Sequence, residues 1–161
     1  MKKGDLRKQE ILTIAESLFC KNGFEQTSIQ DILDQLQSSK GSFYHHFPSK
    51  ESLLEGICKK RARQIYLLTE EEMQHKDDIL AKLNCLFSGM IPLCHEKISF
   101  LLMLLPIFRL PEGRSVRQGF CDALREQFME GVVTYLQTGH QEGLLFCSDC
   151  QITSNIILLL L

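Results

Sequence analysis

The chain has no apolar run long enough to cross a membrane, which argues against an integral membrane protein with spanning helices. Its longest apolar run, Phe100 to Phe108, stops at Arg109, whereas a spanning helix needs about 20 apolar residues. The first residues, Met1 to Asp5, lead directly into an amphipathic segment and lack the apolar stretch of a secretory signal. We therefore expect a cytoplasmic protein without a membrane partner.

Strand patterns are also scarce. Few segments alternate between polar and apolar residues over more than four positions, whereas apolar residues recur at spacings of three and four throughout. With 161 residues, 44% of them hydrophobic, the chain can bury a sizeable core and differs from disordered proteins in composition. The expected fold class is all-α.

The seven cysteines show no regular spacing, and without a secretory signal this indicates reduced thiols rather than a disulfide framework. Cys147 and Cys150 have the spacing of a metal or redox pair. A structural zinc site needs a second pair of ligands, which the sequence does not show. We expect no metal and no cofactor, and a thiol-responsive or metal-responsive regulator acting through these two cysteines is kept as an alternative.

The net charge of -2 hides an asymmetry along the chain. Residues 1–63 carry eleven lysines and arginines against eight acidic residues, and the remainder carries seven against twelve. A basic N-terminal part on an acidic body suits a polyanionic partner at one end only.

Two helix starts lie close together in the basic part. Thr27 and Gln30 have the spacing of a capping box, which predicts a helix from Ser28 to about Leu36. Ser39 is a second N-cap residue. Two short helices joined by a tight polar turn, the second of them mostly polar, indicate a helix-turn-helix with an exposed second helix.

The segment Ser39-Lys40-Gly41-Ser42-Phe43-Tyr44-His45-His46-Phe47, followed by Ser49-Lys50-Glu51, resembles the helix-turn-helix of the TetR family of transcriptional repressors. The resemblance implies an N-terminal three-helix DNA-binding domain over residues 4–64, with the helix-turn-helix at about 27–46. It also implies a helical effector-binding and dimerisation domain over 65–161, and the uncapped leucines at the end suggest that this domain continues beyond Leu161. No enzymatic activity is expected.

The predicted contacts to DNA come from the starts of three helices. Thr27 and Ser28 lie where free amides favour a phosphate oxygen. Lys50 lies in the first turn of helix 4, where the helix dipole disfavours a cation, and a phosphate would compensate its charge. The full predicted set is Thr27, Ser28, Ser38, Ser39, Lys40, Gly41, Ser42, Tyr44, His45 and Lys50.

The segment around Phe100 to Phe108 predicts a helix that is buried on all sides and interrupted at Pro106. In the family that the chain resembles, the body surrounds a small-molecule pocket, and this apolar segment is a reasonable wall for it. We expect a small apolar effector. The predicted lining residues are Phe87, Met90, Phe100, Met103, Leu104, Phe108 and Phe120.

The resemblance further implies a homodimer, formed through the last two helices, that binds an inverted-repeat operator in double-stranded DNA. The leading prediction is a repressor released from its operator by the effector. A helical small-molecule carrier or enzyme that uses the apolar body is the alternative of a different class. Salt-dependent retention on DNA distinguishes the two.

Overall fold

The computed structural model describes residues 3–90 and 98–159, which form eight α-helices and no strand. The predicted all-α class is therefore confirmed. None of the described helices is both long enough and apolar enough to span a bilayer. The helices are α1 Lys3–Asn22, α2 Ile29–Leu36, α3 Lys40–His46, α4 Lys50–Gln74, α5 Ile79–Met90, α6 Ile98–Arg109, α7 Arg114–Gln141 and α8 Cys150–Leu159.

The chain divides into two compact units that are not consecutive in sequence. Unit 1 consists of residues 1–58 and 93–119, and unit 2 consists of residues 59–92 and 120–161. Helices α4 and α7 therefore contribute residues to both units.

In unit 1, α1 buries one face of apolar side chains and packs against α2 and α6. It ends where the periodicity predicts, at Asn22, because Gly23 takes a left-handed φ of 90°. Phe24 then returns to the core and meets Phe19 edge to face, with 5.1 Å between ring centroids. Helix α2, the first helix of the predicted helix-turn-helix, is thus packed against the inner face of α1. That face comprises Ile11, Leu12, Ala15 and Phe19.

Unit 2 has its own core, in which α4, α5 and α7 meet. Phe128 of α7 is fully buried and its ring lies 5.2 Å from that of Tyr66 on α4, edge to face. The Sγ atom of Cys85 on α5 donates to the carbonyl of Thr69 on α4 across 3.8 Å. A Cβ atom at Gly131 would be in ordinary contact with Leu86, so α7 and α5 approach closely here.

Helix α6 differs from its prediction. It continues through Pro106 without interruption, and it is not buried on all sides, because Leu102 and Leu105 are 58% and 44% exposed. A proline inside a helix removes one backbone donor but does not force the helix to end when one turn precedes and follows it in helical geometry. The apolar composition of the segment therefore predicted more burial than the structure shows.

The turn between α2 and α3 is closed by a non-glycine residue. Gln37 has a left-handed conformation with φ 47° and ψ 48°. Its amide donates to the carbonyl of Asp34 at 3.3 Å, and the amide of Ser38 donates to the carbonyl of Leu33 at 3.1 Å. These two hydrogen bonds form a Schellman motif, which satisfies the last carbonyls of α2 and directs the chain into α3.

Because a left-handed conformation is costly for a residue with a side chain, Gln37→Gly should stabilise the protein by about 0.5–1 kcal/mol. Urea denaturation measures this change. Gln37→Ala is the matched control, because it removes the exposed side chain but keeps the Cβ atom, and it should stay within about 0.5 kcal/mol of the parent. Equal stability of the two variants would show that the conformation at position 37 carries no strain.

Candidate nucleic-acid interface

The start of α2 is capped one residue later than predicted. Ser28, not Thr27, is the N-cap residue: its Oγ accepts from the amide of Asp31 at 3.1 Å, and the carboxylate of Asp31 accepts from the amide of Ser28 at 2.7 Å. These hydrogen bonds to the backbone and to the hydroxyl of Ser28 lower the pKa of Asp31. The capping box is therefore present, with Asp31 in the place predicted for Gln30.

The side chain of Thr27, which was predicted to contact DNA, is not accessible for such a contact. Its side chain is fully buried, and its hydroxyl donates to the carbonyl of Gly23 at 2.8 Å. A hydroxyl in this position fastens the loop between α1 and α2 and cannot reach a phosphate outside the domain. Ser28, by contrast, is exposed at the N-terminus of α2.

Helix α3 begins and points as the sequence predicts. Ser39 is its N-cap, with Oγ accepting from the amide of Ser42 at 3.4 Å. Phe43 and Phe47 are 0% and 3% exposed, which fixes the inner side of the helix. The other predicted members of the interface are exposed or half-buried at the surface. These are Ser38, Ser39, Lys40, Gly41, Ser42, Tyr44 and His45.

The exposed side of α3 carries several kinds of hydrogen-bonding group that another molecule can approach. Tyr44 is 49% exposed although its ring meets Phe43 edge to face at 5.4 Å. A Cβ atom placed on Gly41 would find nothing within 4 Å, so another molecule can approach the backbone there. Lysine donors, hydroxyls and an accessible backbone are the groups with which helices bind base edges and phosphates in a major groove.

Lys50, at the first residue of α4, is tied to the loop between α1 and α2. Its Nζ donates to the carbonyls of Phe24 at 2.9 Å and Thr27 at 3.2 Å, and it lies 4.3 Å from the centroid of the Phe24 ring. These acceptors compensate the cation at the helix N-terminus, a role that the sequence assigned to a DNA phosphate. Because an ammonium group has three donors, one remains for a phosphate.

Arg7 was not among the predicted site residues. Its guanidinium pairs with Glu10 at 2.5 Å and donates to the carbonyl of Leu36 at 3.4 Å, so it supports the end of α2 from α1. Lys8 lies 5.8 Å from the ring centroid of Phe47, at the end of α3. Basic side chains commonly donate to the last carbonyls of a helix. Here the helix end is that of α2, and Leu36 lies 29 positions after Arg7, so the sequence does not reveal the contact.

The predicted effector-lining residues fall into both units. Phe100, Met103, Leu104 and Phe108 lie on α6, and Met103 lines an open groove of about 500 Å³ in unit 1 between α6 and the loop after α1. Leu104 is fully buried. Phe87, Met90 and Phe120 belong to unit 2. A common pocket formed by all seven remains a prediction.

Unit 2 contains a second cavity, of about 350 Å³, with a different lining. Tyr66 and Glu70 of α4, Lys82 of α5, and Glu130 and Tyr135 of α7 face it. Its polar and aromatic lining differs from the apolar wall that the sequence predicts, because the apolar residues of these helices are used in the core.

Cys147 and Cys150 lie close together at the start of α8. Cys147 is buried; its amide donates to Nδ1 of His140 at 3.3 Å, and its Sγ donates to Oγ1 of Thr153 at 3.2 Å. The hydrogen bond between the two thiols, with smaller effects of burial and of the charges on Cys147 and Asp149, raises the pKa of Cys150. A raised pKa disfavours the reactive thiolate. Among residues 3–90 and 98–159, no group of three or more potential ligands is placed to hold a metal ion.

The fold and the site define a helix-turn-helix motif whose second helix is exposed. Residues 11–57 match the family described as bacterial regulatory proteins of the tetR family. The chain is 30% identical over 121 residues to the uncharacterized HTH-type transcriptional regulator YerO of Bacillus subtilis, a match that covers 71% of this chain and 40% of that protein. It is 43% identical over 53 residues to the transcriptional repressor KstR2 of Rhodococcus jostii, covering 33% of this chain and 26% of the repressor.

The chain therefore belongs to the TetR family of bacterial regulators. It is also similar in fold to the crystal structure of the transcriptional regulator FadR of Bacillus subtilis in complex with stearoyl-CoA, with a TM-score of 0.66 and 22% identity over 92% of this chain and 80% of that one. The matches to YerO and KstR2 span less than half the length of either protein.

The contacts of Lys50 predict that Lys50→Met destabilises the protein by about 1–2 kcal/mol. Hydrogen bonds from a charged donor contribute about 1.5–3 kcal/mol, and removing a cation from a helix N-terminus returns about 0.3–1 kcal/mol. Urea denaturation provides the measurement. Lys40→Met is the control, because Lys40 is exposed and makes no described hydrogen bond, and its stability should change by less than about 0.5 kcal/mol. If the two variants are equally stable, Lys50 does not fasten the loop.

Proposed function

We propose that the chain is a sequence-specific DNA-binding transcriptional regulator of the repressor type. The observation that carries this proposal is the arrangement of α3, which is anchored by buried Phe43 and Phe47 and presents its polar residues to solvent. The relatives are transcriptional regulators, not enzymes, which favours regulation over the carrier or enzyme alternative. A regulator of this kind acts in the cytoplasm, where it meets the chromosome.

In the proposed complex, α3 lies in the major groove. Lys40 reaches a guanine O6 or N7, and the hydroxyls of Ser39 and Ser42 bind base edges or phosphates. Gly41 allows close approach of the backbone. Tyr44 and His45 contact phosphate or a thymine methyl, and the exposed start of α2 at Ser28 receives a phosphate oxygen.

The proposed assembly is a homodimer on an inverted repeat. One helix-turn-helix contacts too little DNA for tight specific binding, so a two-fold symmetric pair is expected on two half-sites about 10 base pairs, or a multiple of this, apart. Helix α8 supplies an exposed apolar face for the pairing: Ile152, Ile156 and Leu159 are 57%, 56% and 67% exposed and share one side of the helix. The division into a DNA-binding domain over 4–64 and an effector-binding and dimerisation domain over 65–161 belongs to this proposal.

Release from the operator is proposed to follow from effector binding in the body. A ligand lowers operator affinity only if it binds better to a conformation whose two DNA-binding domains no longer fit the half-sites. Helix α4 is the covalent link that joins the motif to the body, since it begins at Lys50 and ends at Gln74. The relative FadR is bound to stearoyl-CoA, which is consistent with an effector that has a large apolar part.

The DNA contacts predict two different phenotypes. Lys40→Ala should relax the preference at particular base pairs by about 1–3 kcal/mol, whereas Tyr44→Phe should weaken binding to every sequence alike. Affinities for a duplex selected from a random library and for its scrambled version measure both. Lys59→Ala removes an exposed lysine outside the motif and should leave the ratio of the two affinities unchanged. If Lys40→Ala lowers both affinities by the same factor, Lys40 contacts phosphate and not a base.

The proposed dimer predicts that Ile156→Glu yields monomers with poor operator affinity, because a charge would be buried in the apolar interface. Light scattering measures the mass in solution. Gln151→Glu adds the same charge to α8 away from the apolar face and should leave the dimer intact. A dimeric Ile156→Glu variant at micromolar concentration would contradict the interface. Phe128 is unsuitable for this test, since it is fully buried and its substitution would disrupt the core.

A further inference from the structure

The cavity of unit 2, here called the tyrosine cleft and lined by Tyr66, Glu70, Lys82, Glu130 and Tyr135, combines two aromatic rings with two carboxylates. It lies between α4, α5 and α7, and all of the residues that line it belong to unit 2. Its volume of about 350 Å³ is in the range of small-molecule sites. The i,i+4 spacing of Tyr66 with Glu70 turns this ring and its carboxylate towards the same side of α4. Glu130 and Tyr135 are five positions apart on α7, and both line the cleft.

The two carboxylates act on the same phenol. Burial raises the pKa of Tyr66, and the negative charges of Glu70 and Glu130 raise it further, followed by the effect of Tyr135. Neither carboxylate has an ion-pair partner within the described part of the chain. A site where two unpaired carboxylates stand beside an aromatic ring favours a positive charge.

Both tyrosine rings already attract cations of the protein itself. The Nζ atom of Lys82 lies 5.9 Å from the centroid of the Tyr135 ring, and the guanidinium of Arg63 lies 5.7 Å from that of Tyr66. These distances are at the outer limit of a cation–π interaction. Arg63 also donates to Oε1 of Gln127 at 3.2 Å and does not line the cleft. Each ring therefore has a cation of the protein nearby, but neither cation is in close contact with the ring face.

The floor of the cleft is shaped for an occupant with apolar substituents. Met73 is 4% exposed, and Gly131 is buried, so that the Oη atom of Tyr66 is 3.8 Å from the place of a Cβ atom at position 131. A bare metal ion would not use an apolar floor or aromatic faces, and an anion would meet Glu70 and Glu130. A small organic cation satisfies the carboxylates, the rings and the apolar floor together.

We propose that the tyrosine cleft binds a small organic monocation, a quaternary ammonium or a protonated alkylamine, between the rings of Tyr66 and Tyr135. Glu70 and Glu130 supply the countercharge, and Lys82 competes with the ligand for the ring of Tyr135. Binding itself does not depend on DNA. Only the consequence that the cation acts as an effector rests on the proposed function.

Titration of the DNA-free protein with choline tests the site, with 3,3-dimethyl-1-butanol as the uncharged analogue of nearly the same shape. The chain has no tryptophan and three tyrosines, two of which line the cleft, so tyrosine fluorescence can report binding next to calorimetry. Choline should bind at least about tenfold more tightly than the alcohol, which corresponds to about 1.4 kcal/mol. Equal binding of the two, or no binding of choline, would overturn the proposal.

Three variants locate the binding. The double variant Glu70→Gln with Glu130→Gln, both at exposed positions, should weaken choline about tenfold or more without changing the affinity for the alcohol. Lys82→Met should strengthen choline binding, because it removes the competing cation, and damage to the fold would not produce such a gain. Asp122→Asn changes an exposed carboxylate outside the cleft and should have no effect. Unchanged affinity in the double variant, or weakened affinity in Lys82→Met, would overturn the assignment.

A final titration separates this proposal from the proposed function. Choline is added to the preformed complex of the protein with its selected duplex. Release of DNA that is lost in the double variant supports both the site and its role as an effector site. Binding of choline without release of DNA supports the site and contradicts only its regulatory role. If the protein selects no duplex, the proposed function is contradicted, and the choline titration of the DNA-free protein still tests the site.

Discussion

The DNA-binding motif depends on the burial of Phe43 and Phe47. A helix of seven residues is too short to be stable by itself in water, and α3 has few other apolar side chains. Phe47 lies against the position of Gly56 on α4, where an added Cβ atom would come within 3.1 Å of its ring. With these two rings fixed, the remaining residues of α3 must face outward, and the hydrogen bonds from Lys50 to the carbonyls of Phe24 and Thr27 hold the neighbouring loop in place. The exposed polar surface is thus a consequence of the buried aromatic pair.

Much of this arrangement could be predicted from sequence, because it follows from local rules. The cap at Ser39, the left-handed Gly23 and the inward Phe43 depend on residues at most four positions apart. Local rules failed where two neighbours compete for one role: Thr27 and Ser28 both carry a hydroxyl, and only the tertiary contact of Thr27 with Gly23 assigns the cap to Ser28. The acceptors of Lys50 lie 26 and 23 positions away, so no local pattern could reveal them.

The character of the body was harder to predict for a different reason. Apolar residues at helical spacing fill a core first, and Phe128 and Leu86 are accordingly buried completely. A ligand site is formed by whatever the core leaves uncovered, which in unit 2 is the polar and aromatic lining of the tyrosine cleft. Composition therefore predicted an apolar effector, whereas the geometry of unit 2 favours a cation with apolar substituents. The groove beside Met103 in unit 1 is the more apolar of the two.

In the proposed complex, α3 contacts base edges in the major groove of an inverted repeat. Methylation interference on a duplex selected by the intact chain tests it most directly, since dimethyl sulfate modifies guanine N7 in the major groove and adenine N3 in the minor groove. We expect interference at guanine N7 in two symmetric half-sites about one helical turn, or a multiple of it, apart. Lys40→Ala should remove a specific guanine signal. Interference confined to adenine N3, or a pattern without two-fold symmetry, would contradict it.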